Sequence, residues 1–175
     1  RWYGISVRAR TLVYNTAAVK PAELSTYAAL AEPAWKGKLC LRTSQKVYNQ
    51  SLVAAFIAAL GEERAEAIVR GWVANLAAEP FASDDEVILA VASGRCAVGI
   101  VNTYYFGRQQ RADAKLPVAI FWPDQGPGER GVHVNVSGAG VTTHAKEPAE
   151  ARRFLEWLST DAAQEMFAGL NLEFP

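Results

Sequence analysis

Cys96-Ala97-Val98-Gly99-Ile100-Val101 is a short, unbroken apolar run, and such a run reads as a strand covered on both faces. What flanks it restricts the fold further. Ahead of it, Ser83-Asp84-Asp85-Glu86 makes a capped, acidic helix start that suits the helix dipole, Val87, Ile88, Leu89 and Val91 form the apolar residues, and Gly94 ends it. Behind it, Asn102-Thr103 are cap residues and Tyr104-Tyr105 open another helix. The same order occurs earlier in the chain. Lys38 to Arg42 is of strand length, Thr43 and Ser44 are good N-caps, and Asn49 to Leu60 is an apolar helix that stops at Gly61. Glu62 to Ala77 then reads as a helix, amphipathic through Ala65, Ile68, Val69, Trp72 and Leu76.

The remaining segments continue the alternation. Arg10 to Tyr14 is extended and leads into a linker at Pro21, and Ala22 to Ala31 reads as a short helix. Leu116 to Trp122 is a strand, Pro123 to Arg130 a Pro/Gly-rich loop, and Gly131 to Val141 alternates through Val132, Val134 and Val136. Glu147 to Ser159 and Asp161 to Ala168 read as helices. Strand-helix alternation of this kind predicts an α/β domain with a mostly parallel sheet. The composition agrees: half of the 175 residues are hydrophobic, enough for a real core, which excludes a disordered or fibrous chain. With 18 basic and 18 acidic residues the formal charge is zero, so the basic footprint of a nucleic-acid binder or a membrane anchor is missing. No apolar run approaches the roughly 18 residues of a membrane span.

In a parallel sheet, ligands bind beyond the carboxyl ends of the strands, where helix N-termini also point. Tyrosine stands at two such places. Lys38 to Arg42 leads to Tyr48, and Cys96 to Val101 leads to Tyr104 and Tyr105. If the two strands are parallel members of one sheet, all three phenols share an edge. A single tyrosine there is ordinary packing, with its ring buried and its hydroxyl wet. A converging trio suggests more. A phenol with a pKa near 10 becomes phenolate at neutral pH only beside a strong cation, and a hard trivalent metal is one. An anion would complete the coordination, held by arginine; Arg8 and Arg10, at the start of the first extended segment, are the candidates. Arg42 and Arg108 are near the tyrosines in sequence, but nothing local singles them out. His133 and His144 lack metal-ligand spacing and are expected on the surface or in loops.

Asn102-Thr103-Tyr104-Tyr105, with Val47-Tyr48-Asn49-Gln50-Ser51 upstream, resembles the ferric-ion-binding proteins of bacterial ABC importers. Arg8-Ala9-Arg10, Val13-Tyr14-Asn15, Trp35-Lys36-Gly37-Lys38-Leu39, Gly71-Trp72-Val73-Ala74-Asn75-Leu76 and Val134-Asn135-Val136-Ser137-Gly138-Ala139-Gly140 match the same pattern, so the resemblance runs essentially the whole chain. It implies a type II periplasmic-binding-protein fold of two α/β lobes, with Tyr48, Tyr104 and Tyr105 as phenolate ligands of Fe(III). It also implies an arginine holding a synergistic carbonate or bicarbonate, Arg8 first and Arg10 second. The implied protein is a monomeric, non-enzymatic binder that works in the periplasm, or as an extracytoplasmic lipoprotein in a Gram-positive cell. It hands its ion to an inner-membrane ABC permease, with no nucleic-acid partner and no membrane insertion.

Members of this family are considerably longer. The expectation is therefore one nearly complete lobe at 10–128, with 1–9 and 129–175 forming crossing strands and part of the other lobe; the abrupt start at Arg1-Trp2-Tyr3-Gly4 shows no signal peptide. Cys40 and Cys96 sit at corresponding heights in the two tyrosine-bearing strands, as a disulfide in an oxidising compartment or as two small buried hydrophobes. An organic-anion binder of the same fold, for example for a phosphorylated metabolite, is the alternative. An enzyme with Ser44 or Cys40 as nucleophile is disfavoured because no Gly-x-Ser-x-Gly elbow is present.

Overall fold

The structure, a computed structural model, describes residues 2–174. Its longest strand, β1 (Trp2–Asn15), pairs antiparallel with β3 (Val98–Asn102), from Arg10↔Asn102 to Tyr14↔Val98. Its other edge pairs antiparallel with β4 (Val118–Phe121), from Leu12↔Phe121 to Asn15↔Val118. The two-residue β2 (Leu39–Cys40) lies parallel to β3, giving the order β2-β3-β1-β4; β5 (His133–Gly140) also pairs with β1.

The expected mostly parallel sheet needs correction, because β1 runs antiparallel to both β3 and β4, and along the path β2-β3-β1-β4 the parallel pair is β2–β3. β2, β3 and β4 do point the same way, as strand-helix alternation requires. β1, inserted between β3 and β4, is the opposed strand.

Six α-helices follow from their sequences: α1 (Val47–Leu60), α2 (Glu62–Ala74), α3 (Asp84–Ala92), α4 (Thr103–Ala112), α5 (Pro148–Leu158) and α6 (Asp161–Asn171). α3 starts in a capping box. The Glu86 N–H donates to Ser83 Oγ, and the Ser83 N–H donates back to the Glu86 carboxylate, each at 3.2 Å. Glycine with positive φ follows α1 at Gly61. Two local readings fail. Ala22 to Ala31 is no α-helix but a pair of 3-10 turns, Pro21–Glu23 and Ala28–Ala31, and Leu24, Tyr27 and Leu30 are buried at a spacing of three, the 3-10 period. Thr43 and Ser44 do not cap α1, whose N-cap is Lys46; Thr43 Oγ1 instead accepts from the Gln45 N–H at 3.3 Å in a local turn.

Alternation in β1 and β3 builds a core on each face of the sheet. Leu12, Tyr14, Val98 and Ile100 join Leu52, Phe56, Ile68 and Trp72 on one face. Val13 and Val101 join Val87, Ile88 and Val91 on the other. Each fully buried aliphatic of this size contributes about 1.5–3 kcal/mol. Cys40 and Cys96, buried in the second core, are disulfide-bonded with their Cα atoms 5.8 Å apart.

The chain divides into two compact units, Arg10–His133 and the stretch up to Ala9 together with that from Val134 onward. Within the second, Gln164 Nε2 donates to the Ile5 and Leu158 carbonyls, tying α6 to β1. Among the described residues no helix is long and apolar enough to cross a membrane.

Candidate metal centre

Because β2 and β3 are parallel neighbours, the helices that follow them start on the same side of the sheet. Tyr48 is the second residue of α1, and Tyr104 and Tyr105 are the second and third of α4. The Tyr104 hydroxyl donates to the Tyr48 hydroxyl at 3.3 Å. The Tyr104 and Tyr105 rings lie 4.3 Å apart between centroids, and the Tyr105 hydroxyl is hydrogen-bonded to both Tyr104 and Arg42. The structure thus brings all three tyrosines singled out in the sequence together. Among the described residues no three His, Cys, Asp or Glu side chains are grouped to hold a metal.

Two arginines border this cluster. The Arg42 guanidinium lies 5.1 Å from the Tyr48 ring centre and 5.9 Å from that of Tyr105. Arg108, one turn into α4, lies 5.0 Å from the Tyr104 ring and 5.5 Å from the Tyr105 ring. All four distances are those of cation–π contacts. Burial, then hydrogen bonding to Tyr105 and Tyr48, pushes the Tyr104 phenol well above its ordinary pKa of 10.0. Burial pulls the Arg42 pKa down, but the hydrogen bond that its guanidinium donates to Tyr105 and the charge of Asp84 outweigh it and raise it. Without a ligand, Tyr104 is therefore held as a neutral phenol, and the edge of the cluster is positive. The cluster needs a strong Lewis acid to become a phenolate set, and it has cations in place for an accompanying anion.

The anion-binding role expected of Arg10 does not fit its placement. Arg10 is fully buried, and every guanidinium N–H faces inward. Nη1 donates to Asp84 Oδ2 at 2.8 Å and to Asn102 Oδ1 at 3.1 Å. Nη2 donates to Asn49 Oδ1 at 2.6 Å and to the Ile100 carbonyl at 3.2 Å, and Nε reaches the same Asn49 oxygen at 3.2 Å. No donor is left for an exogenous anion, because the buried Asp84 carboxylate needs a cation. Arg8 belongs to the smaller unit, where it is part-buried in β1. Arg42 is the functional candidate that sequence alone did not promote. His133 is also not a surface residue: it is half-buried at the start of β5, with Nε2 2.9 Å from Ser51 Oγ and its N–H donating to the Tyr27 hydroxyl. His144 is exposed.

Known proteins of similar sequence and shape were compared with this arrangement. Iron uptake protein A2 of Synechocystis sp. (strain ATCC 27184 / PCC 6803 / Kazusa) is 47% identical over 180 residues, which is 99% of this chain and 52% of that protein. The structure of apo FutA2 from Synechocystis PCC6803 superposes with a TM-score of 0.94 at 47% identity, covering 99% of this chain and 57% of that one. The Trichodesmium IdiA (FutA) structure, in complex with iron and citrate ligands, matches with a TM-score of 0.94 at 42% identity over 99% and 56% of the two chains. The chain spans about half the length of the curated relatives it matches. Its α/β fold is that of the corresponding part of these type II periplasmic-binding-protein-like structures. The family model of bacterial extracellular solute-binding proteins matches residues 1–175, and this chain belongs to that family.

Proposed function

We propose that this chain carries the metal-binding half of an extracytoplasmic ferric-ion-binding protein that delivers iron to an ABC permease, acting as a monomer and catalysing no reaction. Tyr48, Tyr104 and Tyr105 supply phenolate oxygens to Fe(III). A synergistic carbonate or small carboxylate balances the remaining charge beside Arg42 and Arg108. The observation that carries this reading is the meeting of the Tyr48 and Tyr104 hydroxyls at 3.3 Å, with Tyr105 hydrogen-bonded to the same group and to a buried cation. Three hard, deprotonatable oxygens suit a hard trivalent ion and give a softer, thiol-preferring metal little. Residues 10–128 are taken as the ligand-bearing lobe, and 1–9 with 129–175 as crossing strands and part of the other.

The test is a titration of the full-length protein with ferric salt and bicarbonate, followed in the visible spectrum. A phenolate-to-iron charge-transfer band should appear in the wild type and weaken or shift in both Tyr104→Phe and Tyr105→Phe. A folded wild type that develops no band would overturn the ferric reading in favour of an organic-anion binder on the same scaffold.

A further inference from the structure

Beneath the phenols, the elements that carry them meet at a set of polar side chains withdrawn from water. At its centre Arg10 and Asp84 are both fully buried, with Nη1 2.8 Å from Oδ2. Three contacts lead outward from that pair. Arg10 holds Asn49 Oδ1 through Nε and Nη2, and Asn49 adjoins Tyr48 in α1. Arg10 and Asp84 together hold Asn102, through its Oδ1 at 3.1 Å and its N–H at 2.8 Å, and Asn102 is the residue before α4 with its two tyrosines. The second Asp84 oxygen lies 3.6 Å from Arg42 Nη1, the guanidinium set over the Tyr48 ring. Asn49 closes the circuit by donating Nδ2 to the Arg42 carbonyl at 2.6 Å.

Stability alone is a weak reason for such a group. A buried ion pair replaced by well-packed apolar residues often costs nothing or stabilises. Here each outward contact ends within two residues of a phenol or on the cation that lies against one. Removing the group would leave the cores intact while freeing the N-termini of α1 and α4 to shift relative to each other. Metal ligands depend on such outer partners for orientation.

We infer that Arg10, Asp84, Asn49 and Asn102 form a positioning assembly for the iron site, holding Tyr48 in register with Tyr104 and Tyr105 and keeping Arg42 beneath them. This rests on the ferric reading above. None of the four touches the ion; they act through the ligands.

The test compares Asn49→Ala and Asp84→Asn with the wild type in the full-length protein. Far-UV circular dichroism checks folding. The position of the ferric charge-transfer band and the rate of iron loss to excess EDTA report on the site. Both variants should keep the band but move it, and should lose iron at least about tenfold faster, the lower end for outer-sphere changes. Asp84→Asn leaves a buried Arg10 without its counter-charge and is the variant at risk of not folding, whereas Asn49 is half-buried and tolerates truncation. A folded Asn49→Ala with the wild-type band and wild-type rate would overturn the inference. A wild type that gives no band overturns the ferric reading itself, a separately recognisable result that removes this inference with it.

Discussion

Tyr104 donates its hydroxyl to that of Tyr48 across 3.3 Å, although 56 residues separate them in the chain. Tyr48→Phe removes the acceptor while keeping the ring against Arg42. The apo protein should lose no more than about 1 kcal/mol, the net worth of one such bond. The ferric charge-transfer band should nevertheless fall clearly in intensity. Urea unfolding and the visible titration measure the two effects separately, and an undiminished band would remove Tyr48 from the ligand set.

The Cys40–Cys96 bridge precedes the two tyrosine segments by the same interval, since Tyr48 and Tyr104 each follow their cysteine by eight residues. Closing a loop of 56 residues restricts the unfolded chain by about 4 kcal/mol on the chain-entropy account. Reduction, or the double variant Cys40→Ala/Cys96→Ala, should lower the urea midpoint accordingly. A midpoint unaffected by reductant that demonstrably opens the bridge would contradict this.

Gly99 is where α3 approaches the sheet most tightly. A Cβ at this position would lie 2.5 Å from Val87 Cγ1 and 3.1 Å from the Cys40 carbonyl oxygen. Gly99→Ala should destabilise by about 1–3 kcal/mol, as overpacking does. Gly169, in α6, would meet nothing within 4 Å, and Gly169→Ala should gain up to about 1 kcal/mol from helix propensity. Thermal unfolding of the two variants should move in opposite directions.

Burial first, and the charge of Arg10 second, lower the His133 pKa below its ordinary 6.5. Its neutral ring is hydrogen-bonded to Ser51, and its backbone N–H to Tyr27. Below 6.5 the unfolded chain takes up a proton that the folded one resists, so stability is full above that value and falls as pH drops toward the folded pKa. Denaturant unfolding on either side of 6.5 should show this slope, and His133→Asn should reduce it. An equal slope in the variant would assign the effect elsewhere.

The β3–α4 unit was legible because two local signals coincide: an unbroken apolar strand and a helix start with tyrosines at fixed positions. The same logic applied to Tyr48, and the meeting of the three tyrosines depended on β2 and β3 being parallel neighbours. The direction of β1 was not legible, since nothing local distinguishes a parallel from an antiparallel centre strand. The burial of Arg10 and the position of Arg42 were illegible for one reason. Asp84 reads locally as a first-turn acid that suits a helix dipole, yet the fold buries it between two arginines far away in sequence. Charge pairing across 42 and 74 residues leaves no pattern in either neighbourhood.

Tyr27 gives the larger unit a property of a different kind. Its hydroxyl donates to the carbonyl of Arg10 and accepts from the N–H of His133, the first and last residues of that unit. A segment that begins and ends on one knot is built like an inserted guest: the host chain is interrupted at a single point and resumes there. Segments with neighbouring ends are those that evolution and circular permutation can excise, transplant or reopen. The larger unit is therefore a cassette by construction, and its bounds at 10–133 are the cut that its own hydrogen bonds mark out.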